Sequence, residues 1–316
     1  MYDMPSDAPA DNQKPVIYFS GGTMQGIFGA GVVTSLQQHN VYEHLGAVYG
    51  ASAGSLVGAY FLAGQSELGS RMMLEALTNT TFISPKNFIL GIGDRLRHRY
   101  IKASDRSQWR NAINIPYLFS CIEEKYGLDT DTLTSRGIPL FIKVFNLDNR
   151  TIEYHDARGK HIHAWLRASV DVHPYTTEVQ TIEGVRYADG AIKSVIGIDA
   201  LLERHPETPI IIVLNTHRKR RVSQWLKNVF EAYFMGITGD ADIAPLFRSS
   251  EPVLRDEIAR IDSMNNVYLY AIPDDIPIRS RTTDPALLER TLYAGANTGE
   301  SIADLVSTLT TTKAKQ

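Results

Sequence analysis

One cysteine, Cys121, stands in 316 residues. A lone thiol closes no internal disulfide and builds no cysteine metal cluster, so the fold needs no oxidising compartment and a cytoplasmic location is expected. Long apolar runs are missing too: the longest, Leu56 to Gly64, covers nine residues, where a bilayer-crossing helix needs about 20. The opening MYDMPSDAPADNQKP has neither the basic start nor the apolar stretch of a secretory signal, and residues 1–14 read as a flexible arm. Surplus charge is also absent. Thirty-two Lys and Arg against 35 Asp and Glu leave −3, a poor basis for a protein built around nucleic-acid phosphates. With no internal repeat, low-complexity tract or linker, one domain over 15–309 is expected, with a frayed polar tail at 310–316.

What is present is globular material, 43% hydrophobic and 21% charged, with ample surface for a core. Val16 to Phe19 is a β-rich run closed by Ser20-Gly21-Gly22, and helix-compatible spacing follows from Ile27 to Leu36. The pattern recurs: an apolar strand at Leu45 to Tyr49, a tight turn at Gly50 to Gly54, an apolar helix from Ser55 to Ala63. Two successive strand-loop-helix units predict a parallel sheet. Residues 65–136 are mostly helical in character and could form a cap, while 139–146 and 151–155 read as strands of a hairpin around Asp148-Asn149. A helix at 161–169, extended structure at 178–188, fully buried strands at 209–214 and 266–272, and helices at 221–236, 251–263 and 285–309 complete the expectation. The fold class is α/β, three-layer α/β/α with a mainly parallel central sheet.

Three short segments carry the chemistry. Gly50-Ala51-Ser52-Ala53-Gly54 is G-x-S-x-G between a strand and a helix, the setting in which a sharp turn lifts a serine hydroxyl to a helix amino end. The same small residues also serve plain close packing of strand on helix. Upstream, Ser20-Gly21-Gly22-Thr23-Met24-Gln25-Gly26 offers backbone N–H groups to an anion, and it matches neither G-x-G-x-x-G nor G-x-x-x-x-G-K-[ST], the dinucleotide and phosphate patterns. Downstream, Tyr187-Ala188-Asp189-Gly190-Ala191 ends an extended run in Asp-Gly, which alone is a common turn pair.

Together these segments resemble the patatin-like phospholipases. In that family a glycine-rich oxyanion loop follows the first strand, the nucleophile lies in G-x-S-x-G, and an aspartate in D-G-[GA] completes a Ser–Asp dyad. The resemblance implies Ser52 as nucleophile, with Gly50 and Gly54 shaping its turn, Asp189 as base, and backbone donors at Gly21, Gly22 and Thr23. It spans roughly residues 15–215, and Arg167 to Pro174 is similar to the stretch before the family's aspartate. Thr23 stands where the family has a third glycine, Gln25 where it has Lys or Arg, and Val195 and Gly197 where it has Asn and Pro. The implied activity is lipid acyl hydrolysis on a lipid ester, with no cofactor or metal. The alternative of another class is a catalytically weak lipid-binding or membrane-associating protein on the same scaffold.

A Ser-His-Asp esterase is the rival enzyme, its order met by Ser52, Asp189 and His205 or His217. His205 lies in a polar Glu-Arg-His-Pro-Glu context and His217 in a basic run, so both are expected to be solvated at the surface. His161 and His163 have no ligand partners at metal spacing and read as an exposed helix start. The basic run 217–221 leads into an apolar stripe at Val222, Trp225, Leu226, Val229, Phe230, Tyr233 and Phe234. Residues 217–234 thus suit either a core-facing helix or peripheral contact with an anionic membrane. Arg95, Arg97, His98, Arg99 and Lys102 form a second basic cluster, expected on a solvated face.

Overall fold

The computed structural model describes residues 14–84, 110–159, 161–172, 175, 176, 179–219 and 244–313, with 86, 87, 90, 91, 93 and 94. The anticipated first unit is present as β1 (Val16–Phe19), a 3-10 turn at Thr23–Gly26 and α1 (Ile27–Gln38). The second is β2 (Ala47–Ala51) and α2 (Ala53–Leu62). Then come α3 (Ser66–Arg71), a π-type turn over Met72–Ala76, α4 (Ile115–Glu124) and α5 (Thr130–Ser135). β3 (Leu140–Asn146) and β4 (Thr151–Asp156) form the expected hairpin, followed by α6 (Ile162–Val170). The remainder is β5 (Gln180–Ile182), β6 (Val185–Asp189), α7 (Ile198–Arg204), β7 (Ile210–His217), α8 (Ala244–Ile261), β8 (Val267–Ile272) and α9 (Pro285–Lys313).

The strands make one eight-stranded sheet in the order β5-β6-β3-β2-β1-β7-β8, with β4 paired to β3. β3, β2, β1, β7 and β8 are parallel; β4, β5 and β6 run antiparallel to their neighbours. Alternate residues of each strand feed two cores, as the two-residue period of a strand requires. Ile17, Phe19, Val48, Ile142, Val144 and Val213 pack with α1, α2, α4, α6 and α9. Tyr18, Tyr49, Phe141, Phe145 and Ile212 pack with α7 and α8. Helices on both faces of a mainly parallel sheet give the three-layer α/β/α architecture read from the sequence.

Three details differ from that reading. The extended run at 178–188 breaks at Glu183 and Gly184, both at positive φ (51° and 85°), and folds back as the β5-β6 hairpin. β8 is only half-buried along its middle, because it closes the sheet as an edge strand instead of lying inside it. α9 continues to Lys313, into the stretch expected to fray. Residues 1–13 of the expected 1–14 arm, the basic cluster Arg95 to Lys102, and the predicted helix at 221–236 lie outside the described residues.

Candidate active site

β1 and β2 end together, Phe19 opposite Gly50, so the loops that follow them are neighbours. After Ala51 the chain turns sharply, with Ser52 at φ 53° and ψ −129°, a conformation that L-residues hold only when their surroundings enforce it. Close approach explains the flanking glycines. A Cβ on Gly50 would come within 2.5 Å of Ser55 Cα, and one on Gly54 within 2.2 Å of the Phe19 carbonyl oxygen. The Ser55 hydroxyl and N–H both donate to Ser52 O, at 2.5 and 2.9 Å. From the other side the Ser52 N–H donates to Ser169 Oγ at 2.8 Å, and that hydroxyl donates to Lys143 O at 3.1 Å. Ser52 is 5% exposed and caps the amino end of ten-residue α2, where unpaired N–H groups favour a developing negative charge.

The glycine loop is clamped against this turn by Asn215 at the end of β7. Its N–H donates to Ser20 Oγ (2.8 Å), its amide nitrogen to Ser20 O (2.6 Å), and its amide oxygen accepts the Gly29 N–H (2.8 Å). Gly21 lies directly on the serine: a Cβ there would stand 2.9 Å from Ser52 Cβ and 3.5 Å from its Oγ. The N–H groups of Ser20, Met24 and Gln25 are engaged by Val213 O, Ser280 O and Gly22 O. Those of Gly21 and Gly22 meet no acceptor among the described residues. Thr23 takes φ 52°, so it adopts the backbone a glycine would, and Gln25 turns inward to donate to Ile278 O.

Asp189 reaches the same place through β3. A strand has two edges, and β4 covers one edge of β3 from Phe141 to Asn146. β2 and β6 must therefore share the other edge, β2 pairing as far as Ala51 opposite Lys143, and β6 from Asp189 opposite Val144. Asp189 occupies the position along β3 next after the one where Ser52 turns away. It is 1% exposed, its Oδ1 accepts the Ala191 N–H at 2.8 Å, and its own N–H donates to Asp171 O at 3.1 Å. Gly190 is needed because a Cβ there would lie 2.6 Å from Lys143 Cγ.

Ser52 and Thr23 also line a pocket of about 670 Å³, its open mouth included. It follows one face of α2 past Leu56, Val57 and Tyr60 to Met72, Met73 and Leu118, an apolar groove leading away from the serine. The family model for patatin-like phospholipases matches residues 17–202, which takes in the glycine loop, the serine turn and Asp189. The chain belongs to the patatin-like phospholipase family. It is 22% identical over 231 residues, 72% of this chain, to the uncharacterized protein YjjU of Escherichia coli (strain K12), and the chain covers 57% of that relative's length. VipD from Legionella pneumophila, known from a crystal structure, aligns with 92% of this chain and 67% of its own at 15% identity and a TM-score of 0.47, a likeness too loose to bear on the site.

Against this patatin-like frame the histidines separate. His205 is not at the surface as its polar neighbours suggested: it is 1% exposed, its Nε2 pairs with the Tyr49 hydroxyl at 2.8 Å, and burial, with Arg204 beside it, holds it down at a pKa of about 4. Local sequence misleads here because Tyr49, 156 residues earlier, supplies the burial. Tyr49 belongs to the core on the far face of the sheet from Val144 and α2, which keeps His205 away from the serine. His217 is half-buried and meets Ile276 O at 2.7 Å. His161 and His163 are exposed at the start of α6 as expected. Residues 220–234 of the basic, aromatic stretch lie outside the described residues, and Arg218 forms an ion pair with Asp262. Asn215 and Lys143 escaped the sequence reading, since a polar residue inside an apolar strand gives no sign of its distant partner. No helix among the described residues is long and apolar enough to cross a membrane.

Proposed function

We propose that this protein hydrolyses carboxylic esters of lipids through a Ser52–Asp189 dyad and an acyl-enzyme. Asp189 takes the Ser52 proton as Oγ attacks the ester carbonyl, and the N–H groups of Gly21, Gly22 and Thr23 receive the oxyanion. Collapse expels the alcohol, which leaves with the proton from Asp189. Water then attacks the acyl-enzyme, giving one proton to Asp189, and the fatty acid departs as Ser52 recovers it. The acyl chain lies along α2 in the apolar groove.

The observation that carries this reading is Ser52 itself, held in a strained turn at a helix amino end, against Gly21 and at an apolar pocket. A fluorophosphonate probe should label the wild type at one site, and p-nitrophenyl esters or phospholipids should turn over. Ser52→Ala removes only an oxygen from a small-residue turn, so it should fold normally and lose both labelling and turnover. Unchanged turnover in that variant eliminates Ser52 as nucleophile. Lipid binding by the wild type with no labelling and no turnover favours the non-catalytic alternative.

A further inference from the structure

We propose that Lys143 is a positioning residue for this reaction, tying the nucleophile's turn and the acid's loop to a single point of β3. The inference rests on the dyad reading above. Lys143 sits where β2 hands over the edge of β3 to β6: Ala51 is its register partner, and Asp189 is the partner of the next residue, Val144. Its carbonyl oxygen receives the Ser169 hydroxyl, which itself holds the Ser52 N–H. Its side chain passes to the opposite face of the sheet, packs its Cγ against Gly190, and donates from Nζ to Ser194 O at 2.7 Å and Ile196 O at 3.2 Å.

The loop that begins at Asp189 is therefore gripped by an ammonium group with no exposed surface. Glu257 of α8 closes the same cluster, its Oε1 accepting from the Ser194 hydroxyl and from the N–H groups of Gly197 and Ile198 at 2.7–3.1 Å. A buried cation costs heavily unless paired and hydrogen-bonded, so its presence here calls for a reason. The charged groups facing it are Asp189 on β6 and Glu257 on α8, and the phenols are Tyr18 on β1 and Tyr154 on β4. Burial lowers the lysine's pKa to about 8 against the pull of Glu257 and Asp189, and burial pushes Tyr18 well up, which keeps that ring neutral. Lysine and aspartate act on each other reciprocally: the cation favours the ionised carboxylate that the base needs. The stretch where the family's Asn and Pro give way to Val195 and Gly197 is the one whose carbonyls Lys143 holds.

The test is Lys143→Met, a side chain of similar length without charge or donors, assayed on a soluble p-nitrophenyl ester across pH. The expected result is a kcat lower by about 10–100-fold, as for a small misplacement of reacting groups, with KM within about two-fold. The acid limb of the kcat profile should also move to higher pH, because Asp189 then loses the nearby cation that favours its ionised form. A folded variant with wild-type kcat and an unmoved acid limb overturns the proposal. Should Lys143→Met not fold, Ser169→Ala cuts the link between the lysine's carbonyl and the Ser52 N–H while leaving the lysine in place. It should lower kcat at unchanged KM, and wild-type kcat there overturns the bridge. Asp189→Asn run alongside separates the two ideas: if it keeps full turnover the dyad reading falls, whereas an inactive Asp189→Asn beside a normal Lys143→Met removes only the positioning role.

Discussion

At the scale of single residues the proposed reaction turns on which group takes the proton from Ser52. A Ser–Asp dyad makes the carboxylate itself the base, so Asp189→Asn, equal in size, should lower kcat/KM by about 10²–10⁴-fold, while His205→Ala and His217→Ala keep most activity on the same soluble ester. A histidine variant as inactive as Ser52→Ala would transfer the role to that histidine. Thr23 offers a second residue-scale prediction. A β-branched side chain at φ 52° is unfavourable by about 1–2 kcal/mol relative to glycine, and the donor proposed there is a backbone N–H. Thr23→Gly should therefore leave turnover intact and raise the urea midpoint or leave it unchanged. A large loss of kcat in a folded Thr23→Gly protein means that the threonine side chain, and not its N–H, serves the site. These positions were legible because each motif demands a local backbone: Gly50 and Gly54 for close approach, Asp189-Gly190 for a turn pressed against a strand.

Elements were legible where periodicity and turn chemistry agreed, as in β1, β2, α1, α2 and the β3-β4 hairpin, and less so where burial depended on neighbours. The apolar run at β8 has the composition of an inner strand, yet its place at the sheet edge leaves its middle half-exposed. Nothing local announced that α9 packs across α1 through backbone contacts: a Cβ on Gly31 would lie 2.0 Å from Leu292 O, one on Gly295 2.1 Å from Phe28 O, and one on Gly299 2.6 Å from Val32 O. Gly295→Leu should force these helices apart and cost about 1–3 kcal/mol or more, the range for overpacking, read as a lower thermal midpoint. An unchanged midpoint would show that the contact yields freely. Along α2 the groove passes Val57, so Val57→Phe should lower kcat/KM for dodecanoyl esters far more than for butanoyl esters. Equal losses for both place the acyl chain elsewhere.

For the whole molecule, His205 makes stability depend on pH. Its folded pKa of about 4 lies below the roughly 6.5 of an unfolded histidine, so between those values the unfolded chain binds more protons than the native one. The stability contributed by the neutral, Tyr49-bonded ring is complete above about pH 6.5 and declines as pH falls toward 4. Urea midpoints measured at pH 7, 6 and 5 should drop more steeply for the wild type than for His205→Gln, which keeps a hydrogen-bonding side chain beside Tyr49 without a proton to gain. Parallel slopes would remove His205 from the acid sensitivity of the fold. Sequence alone determined the layered α/β class, the serine turn, the glycine loop and the Asp-Gly corner, because each is written in residues close together along the chain and limited by local sterics. Only the tertiary structure decided that β6 takes over the edge of β3 that β2 leaves, that Lys143 is buried at that junction under carbonyls from residues 194 and 196, and that His205 lies in a core. Burial of a polar side chain is fixed by partners from distant segments, and no spacing along the chain records them.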